Sequence, residues 1–205
     1  LGRVWKSKSG DGIWMSLIIK PKIEPYKAPF LTLVAGASVV KALSNLDVEA
    51  SIKWPNDIIV HNKKICGILT ELSAEMERVN YVVIGIGINI KTIDFPDEIK
   101  EKATSLYKEG YKLSRVDIVR QFCIEFEKLY KGYILDGNKQ DTLELCRKFS
   151  AIIGKQVYVI KNNKRELVKC IDINENGNLI VKEKNGEIQE IMSGEVSIRG
   201  VKGYV

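Results

Sequence analysis

Thiol and imidazole groups are scarce in this sequence: it has one histidine, His61, and four cysteines, Cys66, Cys123, Cys146 and Cys170, with no Cys-x-x-Cys pair among them. A structural zinc site needs such ligands at short spacings, so none is expected, and the scattered thiols give no disulfide framework. Reduced thiols fit the cytoplasm. No uninterrupted apolar run approaches the roughly 18 residues of a membrane-spanning helix, and charges break the first ten positions, so neither a span nor a signal peptide is expected. A soluble cytoplasmic protein with no membrane partner is the default. After Gly85-Ile86-Gly87-Ile88-Asn89 a third glycine is missing and no helical pattern starts, which excludes a Rossmann fingerprint.

What the chain does have is apolar mass. Its 205 residues are 45% hydrophobic, enough to bury a sizeable core. The formal charge of +6 could attract nucleic acid, an acidic protein or a phosphorylated ligand. Most lysines after residue 90 alternate with acids, as in Lys182-Glu183-Lys184, the pattern of a solvated surface. Lysines without close acidic neighbours sit nearer the glycine-rich strands.

Residues 13–20 are apolar apart from Ser16 and the closing Lys20 and precede Pro21, which predicts a largely buried strand. Along 29–45, Phe30, Leu33, Val34, Ala37 and Val40 fall on one helical face. Three β-rich runs follow at 50–54, 57–61 and 64–72, with His61-Asn62-Lys63 as a tight connection, and then a strand from Val79 to Ile90. Helical patterning returns at 97–109 and again after Ser114, which can cap, with Asp117 at the favourable third position. The second of these helices carries a stripe of Val116, Val119, Phe122, Cys123, Phe126, Leu129 and Tyr130; a last helix is expected at 139–149. Beyond Ile153-Gly154, short β-rich runs are punctuated by Asn162-Asn163, Asn176-Gly177 and Asn185-Gly186. Asn-Gly pairs suit type I′ hairpin turns, and a small five-strand barrel fits the rhythm. The expected division is 1–150 and 151–205.

Taken singly, the chemically suggestive residues have plain explanations. Lys53 reads as a solvated strand lysine, Asp57 as a turn acid, Trp5 as core packing and His61 as a solvent-facing, idle imidazole. Gly85 and Gly87 can mark a bulge or a close approach of a ligand to the backbone. Pro55 forces Trp54 out of helical conformation and ends strand pairing on that side.

In combination they resemble a family. Ile52-Lys53-Trp54-Pro55-Asn56-Asp57, then Lys64-Ile65-Cys66-Gly67-Ile68-Leu69-Thr70-Glu71, then Gly85 to Asn89, are similar in order and spacing to the biotin protein ligases. Gly2-Arg3-Val4-Trp5 and Gly12-Ile13-Trp14-Met15-Ser16 match the same pattern, and the closing β-rich segment resembles the family's small carboxy-terminal barrel. The resemblance implies an α+β fold: a mixed, mainly antiparallel sheet flanked by helices, of the class II synthetase-like ligase type, followed by a small SH3-like β-barrel.

It also implies a reaction. Biotin's carboxylate attacks the α-phosphorus of ATP, and a lysine of a carboxylase's biotin carboxyl carrier domain then displaces AMP. Two anions must meet, and a positioned cation stabilises the charge that develops. The resemblance assigns that role to Lys64, with Arg3 on the phosphate side. Lys53 and Mg²⁺ would neutralise the triphosphate, and Asp57 would be the metal's carboxylate. Trp5 matches the aromatic that stacks on adenine and Asn89 the amide near the base; Asn56 is left to hold either Asp57 or the ribose-phosphate. Trp14, Gly67, Leu69, Gly85 and Ile88 match the walls of the biotin pocket. Glu71 has no assignment.

Against the family pattern the sequence begins at the tail of a glycine- and arginine-rich loop. Such a chain would lack the first strand of the domain and the Ser-Thr segment that hydrogen-bonds biotin's ureido ring, and weak biotin binding is the expectation that follows. Two alternatives share the fold: a regulator of transcription that senses biotinyl-adenylate, binding DNA only through an upstream module, and a lipoate-attaching enzyme. A nucleic-acid-binding reading of the basic pI finds no aromatic-basic stripe to support it. A monomer or weak homodimer is expected.

Overall fold

The computed structural model describes residues 9–161, 164–193, 197–201 and 204. Strands β1 (Gly12–Ile19), β2 (Ser51–Lys53), β3 (Asp57–Val60), β4 (Lys63–Ala74) and β5 (Val79–Asn89) form one sheet in the order β1-β5-β4-β3-β2. Its named strands all pair antiparallel, and parallel pairing is confined to the isolated bridges Ile52↔Ser150 and Lys64↔Ala103. The sheet is thus mainly antiparallel, as expected.

Alternation sorts its side chains onto two faces. Ile13, Ile58, Cys66, Ile68, Ile84, Ile86 and Ile88 point into the core, where helix α1 (Phe30–Ser44) crosses. A Cβ added at Gly36 of α1 would make only an ordinary contact, 3.8 Å from Ile68 Cδ1. The expected single apolar stripe of α1 understates its burial. Helices α2 (Arg115–Leu135) and α3 (Gln140–Lys148) pack on its outer side, so twelve of its residues are buried.

Ser114 caps α2, its side chain accepting from Val116 N at 3.2 Å. The buried stripe of α2 is Ile118, Phe122, Phe126, Leu129 and Tyr133, whereas Val116 and Cys123 are exposed. Only a narrow band of this helix meets α1, and the stripe expected from sequence is rotated relative to it. Among the described residues β1 is an edge strand paired only with β5, and Trp14, Ser16 and Ile18 are exposed rather than largely buried.

The helix expected at 97–109 does not form. The segment's backbone is committed elsewhere: Lys64 N donates to Lys102 O (2.8 Å), Thr104 N to Lys64 O (2.9 Å) and Leu106 N to Asn89 O (3.1 Å). Those bonds satisfy groups that an i→i−4 ladder would otherwise need.

Beyond α3, β6 (Gln156–Lys161), β7 (Lys164–Ile173), β8 (Leu179–Lys182), β9 (Ile188–Ile191) and β10 (Ser197–Gly200) make a second antiparallel sheet, ordered β10-β6-β7-β8-β9. Its Asn-Gly turns differ from the expected type I′. Only the glycines, Gly177 (φ 83°) and Gly186 (φ 92°), are left-handed, each donating to a carbonyl three residues back. The two-residue turn with both φ positive lies instead at His61 (46°) and Asn62 (62°), between the partners Val60 and Lys63.

One apolar cluster runs through both sheets. Buried Trp54 donates its Nε1–H to Gly177 O (2.9 Å), and Arg147 Nε bonds Asp172 Oδ1 (2.8 Å). A Cβ on Gly177 would strike Leu33 and lie 3.2 Å from Phe30, so this turn reaches α1 only as glycine. The second sheet is therefore fixed against the strand end that carries Trp54.

Candidate functional site

The sheet face opposite α1 is paved with glycine. Gly67, Gly85 and Gly87 stand there in neighbouring strands, and one register row runs through Trp14, Gly87, Gly67, Asp57 and Lys53 from one edge of the sheet to the other. The next row holds Ser16, Gly85 and Leu69. Glycines without side chains leave a floor on which a flat ligand can lie against the backbone. Trp14 (38% exposed) and Leu69 (62% exposed) rise beside it as apolar walls. Trp14 folds back over Gly12, where a Cβ would meet the indole and lie 2.6 Å from Ile88 O.

At the other end of the row the charges collect. Lys64 forms an ion pair with Asp57 Oδ1, and the hydroxyl of Tyr204 donates to Asp57 Oδ2. Lys53 is only 2% exposed; its Nζ has no hydrogen-bond partner among the described residues and lies 3.4 Å from the centre of the Tyr204 ring. Burial pushes the Lys53 ammonium down to about 7, the charges of Arg199, Lys64 and Lys102 push the same way, and Asp57 opposes them. A buried cation surrounded by like charges is poised to accept an anion.

Several assignments change with the structure. Ile88 is fully buried on the core face with Cys66 and Ile86, because its position alternates with Gly87; its side chain cannot wall this pocket. Asn56 holds neither Asp57 nor an open ligand position with its amide N–H, because Nδ2 donates to Ile68 O (2.8 Å) while Asn56 O accepts from Ile68 N (2.9 Å), which locks the loop to β4. Asn89 is on the glycine face, buried, with its Nδ2 donating to Thr104 O (3.0 Å). Arg3 and Trp5 lie outside the described residues. Glu71 is exposed on β4.

Asp57 is the carboxylate that could hold a magnesium ion carried by a polyphosphate, since such ions take one or two carboxylates plus phosphates. Its oxygens are engaged here by the Lys64 ammonium and the Tyr204 hydroxyl, and among the described residues no group of three His, Cys, Asp or Glu side chains forms an all-protein metal cage. His61 is solvent-facing, as expected, and its Nδ1 lies 2.5 Å from Glu109 Oε2. Burial would raise the Glu109 carboxyl, but hydrogen bonds from Thr104 and His61 together bring it below the usual range.

Tyr204 and Arg199 escaped the sequence reading. Both come from the second sheet or the segment after it, more than 140 residues along the chain from Asp57 and Lys53, and no local pattern marks them.

Residues 1–89 match the model of the Biotin/lipoate A/B protein ligase family, and residues 152–199 that of the Biotin protein ligase C terminal domain. The chain is 39% identical over 202 residues to the bifunctional ligase/repressor BirA of Bacillus subtilis (strain 168), an alignment covering 97% of this chain and 62% of the relative. Against BirA of Escherichia coli (strain K12) the identity is 27%, covering 98% and 63%. The chain thus spans less than two thirds of the length of these relatives. Among solved structures, biotin protein ligase from Aquifex aeolicus in complex with biotin and ATP is similar with a TM-score of 0.83 at 28% identity, covering 97% of this chain and 82% of that one. The apo structure from the same organism gives 0.81 at 29% identity, covering 93% and 83%.

Proposed function

The chain belongs to the biotin protein ligase family, and from that premise we propose that it activates biotin with ATP and transfers it to a lysine of a carboxylase's carrier domain. The observation that carries the reading is the row Trp14-Gly87-Gly67-Asp57-Lys53, an open glycine floor with an apolar wall at one end and two lysines sharing a carboxylate at the other. Such a surface suits a ligand with a flat apolar body and an anionic end.

In the first half-reaction a biotin carboxylate oxygen bonds to the α-phosphorus of ATP and the bond to pyrophosphate breaks. Lys64, held in place by Asp57, supplies a fixed positive charge where the two anions approach, and preorganisation of that kind is worth most in a water-poor site. Lys53 and Arg199 supply the neighbouring charges for the phosphates. In the second half the carrier's neutral amine bonds to the acyl carbon, AMP leaves, and one proton is released. The four free cysteines support a reducing compartment such as the cytoplasm.

Two further readings have support of their own. The matched family includes lipoate enzymes, and the BirA relatives are named as repressors as well as ligases. One experiment separates the first pair: incubate the chain with ATP, magnesium, a carrier domain and either biotin or lipoate, and weigh the carrier. Mass added with biotin and not with lipoate is expected; the reverse, or no addition, overturns the reading. For the regulator, a DNA mobility shift that depends on biotinyl-adenylate is the test.

A further inference from the structure

Lys53 and Asp57 are covered in a way the proposed reaction does not use. The Tyr204 ring lies 3.4 Å from Lys53 Nζ, at van der Waals contact, and its hydroxyl takes the Asp57 oxygen that Lys64 leaves. Tyr204 is held there by its own backbone, with Gly200 N donating to Tyr204 O (3.4 Å), which ties it to β10 and so to Arg199. A phosphate oxygen accepting from Lys53 would have to sit about 2.8 Å from Nζ. On the covered side the ring already fills that space.

We propose that Tyr204 makes an autoinhibitory contact: it occupies the anion side of the site, and a polyphosphate must displace it to reach Lys53. The inference rests on the ligase reading for the identity of the polyphosphate, but the exclusion itself is steric. An aromatic face is a weaker partner for an ammonium than a charge-assisted hydrogen bond, so the exchange favours the phosphate once it arrives. Until then the contact shelters a buried cation that would otherwise have no partner on that side. Displacement frees one Asp57 oxygen and leaves the ion pair with Lys64 intact. If only a fraction of chains is open at any moment, apparent affinity falls by that fraction.

The test compares the wild-type chain with Tyr204→Ala and Tyr204→Phe. Inorganic pyrophosphate and ATP are titrated by calorimetry, and Lys53 is probed by reductive methylation and mass spectrometry. For Tyr204→Ala, binding of both anions is expected to tighten roughly fivefold and Lys53 labelling to rise several-fold. Tyr204→Phe, which keeps the ring and loses the bond to Asp57, should fall between. Unchanged or weaker anion binding in Tyr204→Ala overturns the proposal, as does unchanged Lys53 labelling. Tyr204→Phe, which alters one oxygen, keeps the comparison decisive if the alanine variant melts early. Failure of the ligase reading would look different: tighter pyrophosphate binding and exposed Lys53 in Tyr204→Ala, with no biotin adenylated by any of the three proteins.

Discussion

Lys53 and Asp57 face each other as register partners on β2 and β3, yet Asp57 gives its oxygens to Lys64 and Tyr204 and the Lys53 ammonium is left buried without a hydrogen bond among the described residues. Such an arrangement costs stability and is retained where the charge has a use. The consequences can be measured.

Replacing the cation with an apolar side chain of similar length, Lys53→Met, should stabilise the ligand-free protein, by on the order of 1 kcal/mol, while lowering adenylation. The pH dependence has a definite sign. Lys53 titrates near 7 when folded and near 10.5 when unfolded, so between those values the unfolded chain binds more protons and stability rises with pH. Urea titrations at pH 6.5 and 9.5 should show the advantage of Lys53→Met shrinking at the higher pH; a gap that stays constant would mean that Lys53 keeps its ordinary value.

Lys64→Ala removes the cation that Asp57 positions. Biotin-dependent pyrophosphate release should fall about 100-fold or more in kcat, the range seen when one preorganised donor to a transition state is lost. The fold should survive, since Lys64 is partly exposed. An unchanged rate in this variant would take the central role away from Lys64.

The glycine floor can be filled without disturbing the sheet. A Cβ on Gly85 would meet nothing closer than Leu69 O at 3.7 Å, an ordinary contact. Gly85→Val should therefore leave the melting temperature level or slightly higher, as valine suits a strand, and raise the KM for biotin about tenfold, a modest steric penalty for such a pocket. A variant that binds biotin normally would show that the ligand does not lie on this floor.

The thiols should sort by burial. Cys66, Cys146 and Cys170 are buried, with burial raising all three thiols and holding Cys146 and Cys170 at about 12, whereas Cys123 is exposed on α2. Iodoacetamide on the native protein, followed by peptide mass mapping, should modify Cys123 well before the others. Early loss of Cys66 would contradict the core placement of β4.

The main chain of elements was legible from local pattern. The apolar run at 13–20, the three runs between 50 and 72, the stretch from Val79 and the helical segments after Pro29, Ser114 and Lys139 each became a named element, because hydrophobic period and turn residues act over a few positions. The false helix at 97–109 had the same local signal. Its backbone groups found better-placed partners on Lys64 and Asn89, and a sequence window holds no information about partners so far away.

The site divides along the same line. By itself, the sequence determined that two lysines, an aspartate and three glycines would stand in or beside strands, since those residues fall inside or beside apolar runs whose alternation is local. Only the tertiary structure decided which of them share a surface: antiparallel pairing brought Trp14, Gly87, Gly67, Asp57 and Lys53 into one row and turned Ile88 to the other face. It also brought Tyr204 onto Asp57 from 147 residues along the chain. Packing of the second sheet against Trp54 and α1 made that contact, and packing between distant segments leaves no periodic trace in the residues that take part.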